Sequence, residues 1–234
     1  MKLTHAMILA AGLGTRMRPL TETMPKPLIP VAGKPLIDWC LDWLAEADIA
    51  NIVVNSSYRA AQLEAHLGMR AVISREAEPP LETGGGVANA LPLLGTGPFL
   101  TMNSDAILLG EHPVARMADA WSHENDFIML LVPRARAIGW SGHGDFILDA
   151  GCIRRPNVGE EADYVFTGVQ LMHPAVFSEC PEGAFSLSAL WNRSRGPDGW
   201  YQRIHAIVHE GDWLNVGDLE GLRVAEAYLA HPSD

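Results

Sequence analysis

A chain of 234 residues, 48% of them hydrophobic, is long enough for one large α/β unit with a well-buried core. Its formal net charge of −11 argues against a nucleic-acid or anionic-membrane partner, and no apolar stretch approaches the roughly 20 residues of a membrane-spanning helix. The 3 cysteines, Cys40, Cys152 and Cys180, form no C-x-x-C pair; this disfavours zinc and redox motifs and suits a reducing, cytoplasmic setting.

Residues 3–9 read as a buried strand, too short an apolar run for a secretion signal. The strand breaks into a small-residue loop, Ala10 to Thr15, whose bare backbone N–H groups can point at a ligand. Arg16 and Arg18 follow, then Lys26 held between Pro25 and Pro27. From Arg16 to Lys34, four cations (Arg16, Arg18, Lys26, Lys34) face one anion, Glu22. Free amides beside fixed cations, in an otherwise acidic chain, suit a small polyphosphate. G-x-G-x-x-G fails at Met17 and no G-x-x-x-x-G-K-[ST] occurs, so the better-known phosphate loops, and a dinucleotide-binding oxidoreductase, are disfavoured.

A helix is expected over 35–47, with Leu36, Ile37, Cys40, Leu41 and Leu44 on one face and Cys40 serving as packing. A strand at 52–55, a helix at 59–67 and a strand at 71–73 follow. Residues 81–86 read as a glycine-rich loop entering a short helix that ends near Leu91. A strand at 99–102 stops at Asn103-Ser104-Asp105; a helix at 113–124 and a strand at 126–132 complete the first half. This alternation predicts a doubly wound, mostly parallel, Rossmann-like α/β sheet. Ligands bind such sheets at the carboxyl ends of strands, so loop 10–16, turn 103–105 and run 82–86 should meet in one crevice.

The second half is less regular. Strands are expected at 145–149, 164–172, 203–208 and 213–216, helices at 174–179, 186–194 and 218–230, and polar loops at 139–144, 156–162 and 195–200. One domain spanning 1–234 is expected, its second half forming a small lobe over the crevice. His205 and His209 share a strand face without a third ligand and read as structural. The seven tryptophans read mainly as packing.

Leu9 to Thr21 (LAAGLGTRMRPLT), followed by Pro25-Lys26-Pro27, resembles the signature of the sugar-1-phosphate nucleotidyltransferases, L-A-A-G-x-G-T-R-[ML]-x-P-L-T and then P-K-P. The resemblance implies that a sugar 1-phosphate attacks the α-phosphorus of a nucleoside triphosphate and pyrophosphate leaves. A phosphate monoester has a second pKa of about 6, so this nucleophile is already ionised and needs no general base. The absence of G-x-S-x-G agrees. Bringing two anions together costs roughly 4 kcal/mol per pair of unit charges at ~4 Å and a dielectric near 20, so catalysis is positioning plus electrostatics.

Roles then follow from the resemblance. Leu9, Ala10, Ala11, Gly12, Gly14 and Thr15 would cradle the nucleotide, and Arg16 and Lys26 would neutralise charge around the α-phosphate and departing pyrophosphate. Asp105 resembles the aspartate that holds Mg²⁺. The second ligand pattern, W-x-D-V-G, occurs as Trp213-Leu214-Asn215-Val216-Gly217, a neutral oxygen replacing a charged one; some uridylyltransferase branches use Asn there. Asp212 would lie on the opposite strand face. Thr83, Gly84, Gly85 and Asn103 would complete the nucleotide side. Glu82 before Thr83 and three glycines resembles the small bacterial N-acetylmuramate α-1-phosphate uridylyltransferases of cell-wall recycling, as does Gly144-Asp145-Phe146.

Gly144, Asp145, Arg155, Thr167 and Gly168 would meet the sugar phosphate. Arg155 aligns with the Lys of an E-K-P motif, and Arg154, in place of its Glu, suits an acidic sugar. The halves would divide into nucleotide binding at about 1–133 and sugar binding at about 134–234. The chain's end, four residues after the last helix, would leave no room for a β-helical acyltransferase or trimerisation extension. Expected partners are a nucleoside triphosphate and a sugar 1-phosphate, with a monomer or small homo-oligomer. Mannose-1-phosphate guanylyltransferase, another hexose- or heptose-1-phosphate nucleotidyltransferase, and a weakly catalytic nucleotide-sugar-binding regulatory protein are the alternatives.

Overall fold

Met7 and Ile8, both fully buried, face opposite sides of one strand. A strand covered on both faces reads as an unbroken apolar run, and that is why the first strand was legible. The computed structural model describes residues 1–231; the last three residues of the expected second half, 232–234, lie outside them. After β1 (His5–Leu9) come three single 3-10 turns at Thr15–Met17, Leu20–Glu22 and Lys26–Leu28. Then follow β2 (Pro30–Val31), β3 (Lys34–Pro35), α1 (Leu36–Glu46), β4 (Asn51–Ser56), α2 (Ala60–Leu67), β5 (Val72–Arg75) and α3 (Glu82–Leu94). β6 (Phe99–Asn103), β7 (Ala106–Leu108), α4 (Val114–Ala120) and β8 (Phe127–Pro133) end the first half, and β9 (Ala137–Ile138) opens the second. The remainder is β10 (Ile147–Asp149), β11 (Cys152–Arg154), β12 (Tyr164–Met172), α5 (Ser188–Trp191), β13 (Trp200–Val208), β14 (Trp213–Asn215) and α6 (Leu219–Ala230).

Nine strands form one sheet in the order β10-β11-β13-β8-β12-β6-β1-β4-β5. β6, β1, β4 and β5 run parallel, in register Met7↔Val53 and Met7↔Thr101. β12 is antiparallel to both β6 and β8 and joins the two halves of the sheet. β8 and β13 are again parallel. A three-stranded sheet, β7-β14-β9, lies beside the strand ends. One core packs Ile37, Cys40 and Leu44 of α1 on Ile8 and Val54; the other packs Val87, Ala90 and Leu94 of α3 on Met7 and Val53.

Several expected elements differ. The glycine run is not a loop but the first turn of α3, which continues to Leu94. α4 stops at Ala120 rather than 124, where the Asn125 side-chain amide donates to the Ala120 carbonyl and caps the turn. The helices expected at 174–179 and 186–194 are a 3-10 turn, Pro174–Phe177, and the four-residue α5 followed by a 3-10 turn at Asn192–Ser194. Short strands β7, β9 and β11 carry too few residues to show a period and were not anticipated.

Candidate active site

Gly14 begins the site. It sits at φ +61, a left-handed conformation that glycine adopts without a Cβ penalty. A Cβ there would also lie 2.9 Å from Thr21 Cγ2 and 3.0 Å from Lys26 Cβ. The Gly14 carbonyl accepts from Met17 N at 2.9 Å and from the Thr21 hydroxyl at 2.9 Å. The loop is thereby clamped to the turns that carry Arg16 and Thr21. A cleft of about 420 Å³ opens above β1 and β6, and Leu9, Ala10, Ala11, Gly12, Gly14, Thr15, Arg16, Lys26, Thr83, Asn103 and Asp105 all line it.

Lys26 Nζ donates to Asp105 Oδ2 at 2.7 Å and to the Gly217 carbonyl at 3.3 Å. The Asp105 carbonyl accepts from Val216 N at 3.0 Å, so the end of β14 abuts the β6–β7 turn. Asn215 pairs with Ala106 across that junction and lies just behind the lining. Its Nδ2 donates to the Gly139 carbonyl at 3.4 Å, which leaves Oδ1 free of that bond. A Cβ on Gly217 would stand 3.1 Å from Asn215 Nδ2 and 3.4 Å from Arg16 Nη1. Arg16, Lys26, Asp105 and Asn215 thus converge around Gly217. A carboxylate and an amide oxygen are both hard donors of the kind Mg²⁺ accepts. No group of three or more His, Cys, Asp or Glu side chains able to hold a metal occurs among the described residues.

The glycine run needs correction. Gly84 N and Gly85 N donate to the Phe185 carbonyl at 2.7 and 3.1 Å and are not free for a nucleotide. A Cβ on Gly84 would lie 2.3 Å from the Phe185 ring, and one on Gly85 2.3 Å from the Gly183 carbonyl. These glycines admit the second half's 183–187 segment onto the first turn of α3. Thr83 does line the cleft while its Oγ1 accepts from Leu187 N at 3.0 Å. Pro80 and Glu82 line it too, and Glu82 holds φ +59.

Asn55 and Glu76, two further lining residues, were missed by sequence reasoning. Each stands alone at the end of a strand, 21 residues apart, with no motif around it. The available signal was a polar residue closing an apolar strand, Ile52-Val53-Val54-Asn55.

The expected sugar-phosphate residues lie outside this lining, on the side where the second half meets it. Gly144 (φ +87) passes under Ala162, whose carbonyl would stand 2.0 Å from a Cβ. Asp145 Oδ2 accepts from Phe166 N at 3.0 Å. The Arg155 guanidinium stacks 4.2 Å over the Phe146 ring, with Asp145 Oδ1 3.7 Å away. Arg154 is committed elsewhere: it makes two 2.7 Å bonds to Glu160, and its guanidinium holds that carboxyl at about 2. Thr167 is fully buried in a bulge of β12, its hydroxyl donating to the Leu130 carbonyl at 2.8 Å; its side chain closes the bulge and faces no cleft, a correction to the expected sugar contact. Gly168 (φ +85) is different, since a Cβ there would lie 2.7 Å from Asn103 Nδ2, where the two sides of the site touch.

Cys40 is buried with its thiol pushed up by desolvation, and its Sγ faces the Asn103 carbonyl at 3.7 Å. His209 is buried with Nε2 3.0 Å from the Leu109 carbonyl.

Residues 6–207 match the family described as MobA-like NTP transferase domain. The chain is 44% identical over 238 residues to a Caulobacter vibrioides protein named N-acetylmuramate alpha-1-phosphate uridylyltransferase, with 96% of each chain covered. A Neisseria meningitidis serogroup B protein of the same name is 38% identical over 241 residues, covering 95% of this chain and 96% of its own. Among solved structures, a UDP-glucose pyrophosphorylase complexed with UDP-glucose superposes with a TM-score of 0.74 at 20% identity, over 97% of this chain and 99% of that one, and so shares the fold.

Proposed function

The chain belongs to the MobA-like NTP transferase family, and from that premise we propose that it is a sugar-1-phosphate nucleotidyltransferase that moves a uridylyl group from UTP to N-acetylmuramate 1-phosphate. The full-length similarity to two proteins of that name supports the substrate pair. The observation that carries the chemistry is the meeting of the glycine loop, Arg16, Lys26 and Asp105 in one cleft.

A phosphate oxygen of the sugar ester attacks the α-phosphorus, the bond to the β-phosphate oxygen breaks, and pyrophosphate departs with that electron pair. No proton has to be moved, and no titratable side chain in the cleft is assigned as a base. Loop amides from Gly12 to Thr15 orient the triphosphate. Arg16 and Lys26 offset the charge that accumulates as the anions approach. Asp105 and Asn215 Oδ1 would hold Mg²⁺, which when bound would supply positive charge against the phosphates. Arg155, Asp145, Gly144 and Gly168 are assigned to the sugar phosphate. The nucleotide-binding half is placed at about 1–133 and the sugar-binding half from about 134. No helix among the described residues is long and apolar enough to cross a membrane.

Four nucleoside triphosphates assayed against N-acetylmuramate, glucose and mannose 1-phosphates, with Mg²⁺, test this reading. Pyrophosphate release is expected to be fastest with UTP and N-acetylmuramate 1-phosphate. A clear preference for GTP would remove the muramate assignment, and product binding without turnover would make the chain a nucleotide-sugar sensor.

A further inference from the structure

Asn55 and Glu76 are 3% and 5% exposed, yet both reach the wall of the nucleotide cleft. Asn55 Oδ1 accepts from Ala10 N at 2.6 Å, and Ala10 is the first residue of the glycine loop. Asn55 Nδ2 donates to Glu76 Oε1 at 2.6 Å, and Glu76 Oε2 accepts from Leu81 N at 2.8 Å. Leu81 is the residue before α3, between Pro80 and Glu82, which line the cleft. Four groups are therefore linked in one chain of three hydrogen bonds, from the glycine loop to the entrance of α3. The chain is closely packed: a Cβ on Gly86 would stand 2.6 Å from Glu76 Oε1 and 2.8 Å from Asn55 Nδ2. That contact gives the third glycine of the run a reason of its own, distinct from those of Gly84 and Gly85.

We propose that Asn55 is a positioning residue that sets the span between the two walls gripping the nucleotide, acting through Glu76 and touching no reacting atom. The inference rests on the nucleotidyltransferase reading. A nucleoside triphosphate must reach both walls at once, its phosphates on the loop and the rest of the molecule extending towards α3. A span held by buried hydrogen bonds is set before the ligand arrives, so less ordering is required on binding. Asn is suited to the task because it accepts on one atom and donates on the other; Glu76, acceptor-only when ionised, needs a donor facing it. A carboxylate at position 55 would still accept from Ala10 but would oppose Glu76. Reversing the polarity of the pair repairs this: with Asn55→Asp and Glu76→Gln together, the glutamine amide donates to the new carboxylate and its carbonyl accepts from Leu81 N.

The test is calorimetric titration of UTP with Mg²⁺ into wild type, Asn55→Ala, Asn55→Asp, and the Asn55→Asp/Glu76→Gln double variant, well below each melting temperature. KM for both substrates is measured in parallel. Wild type is expected to bind, both single variants to weaken UTP at least tenfold without changing KM for the sugar phosphate, and the double variant to return within about threefold of wild type. Single variants that bind UTP as wild type does, while melting earlier, would make the relay merely structural and overturn the proposal. A double variant no better than Asn55→Asp would overturn it as well. Absence of UTP binding by the wild type is a separate result: it removes the functional reading, and the relay's role in it.

Discussion

Lys26 Nζ lies 2.7 Å from Asp105 Oδ2, with the two side chains only 12% and 25% exposed. The cation assigned to the phosphates and the carboxylate assigned to the metal are each other's partners. Binding of a metal-triphosphate complex at the assigned residues would exchange this ion pair for two others and leave neither group uncompensated.

Lys26→Ala is expected to lower turnover by at least ~10²-fold, the scale for losing one preorganised charge stabiliser. Pyrophosphate release under saturating substrates measures this. The exchange has a second consequence: Lys26→Met should bind Mn²⁺ more tightly than wild type when no nucleotide is present, because Asp105 has lost its competitor. Near-normal turnover in the alanine variant would contradict the assigned role.

Asn215→Asp separates metal affinity from stability. The added charge should reduce the Mg²⁺ concentration for half-maximal activity by about tenfold, since ligand charge tunes affinity at such sites. The same change faces a carboxylate oxygen to the Gly139 carbonyl where Nδ2 now donates at 3.4 Å. An unmatched acceptor pair of this kind costs roughly 1–3 kcal/mol. Tighter metal dependence with a lower melting temperature is the expected pairing.

Gly84→Ala should act through packing. Its methyl would meet the Phe185 ring at 2.3 Å, and overpacking of this sort typically costs about 1–3 kcal/mol. For a chain of this size that is a drop of roughly 2–12 °C in melting temperature. Phe185→Leu in the same protein should recover part of the loss. A variant with wild-type melting but altered base preference would instead return Gly84 to the nucleotide contacts.

Arg155 and Arg154 should part company. Arg155→Ala is expected to raise KM for the sugar phosphate about tenfold or more, the loss of a charge-assisted hydrogen bond, with KM for UTP little changed. Arg154→Ala should move it less, because that guanidinium is already committed to Glu160.

His209 gives a pH signature. Burial lowers its pKa, with backbone hydrogen bonds to Leu109 and Asp212 opposing the shift. The folded protein therefore holds fewer protons at this site than the unfolded chain, whose histidine titrates at ~6.5. Its stabilising contribution is present above that pH and is lost as pH falls. The melting temperature should decline from pH 7.5 to 5.5, and more shallowly in His209→Gln.

The loop side of the cleft was legible because it is local. Leu9 to Lys26 is one stretch of chain in which glycines, arginines and flanking prolines all act within a few residues of each other, and the parallel strands β1, β4 and β6 announce themselves by being apolar on both faces. Gly84 and Gly85 misled because a glycine run has two physical uses, exposed amides or close approach, and composition is the same for both. Thr167 misled for a related reason: its motif is intact, but a bulge turns the hydroxyl inward to the Leu130 carbonyl.

What the amino-acid order determined alone was the alternation of elements and the family signature of the glycine loop, since both depend on neighbours along the chain. Only the tertiary structure decided that Asn55 reaches Ala10, that Glu76 reaches Leu81 and that Lys26 rests on Asp105. Those contacts join residues 5 to 79 positions apart across strand ends. Their energy comes from desolvated polar groups that must find partners wherever the packed sheet brings them.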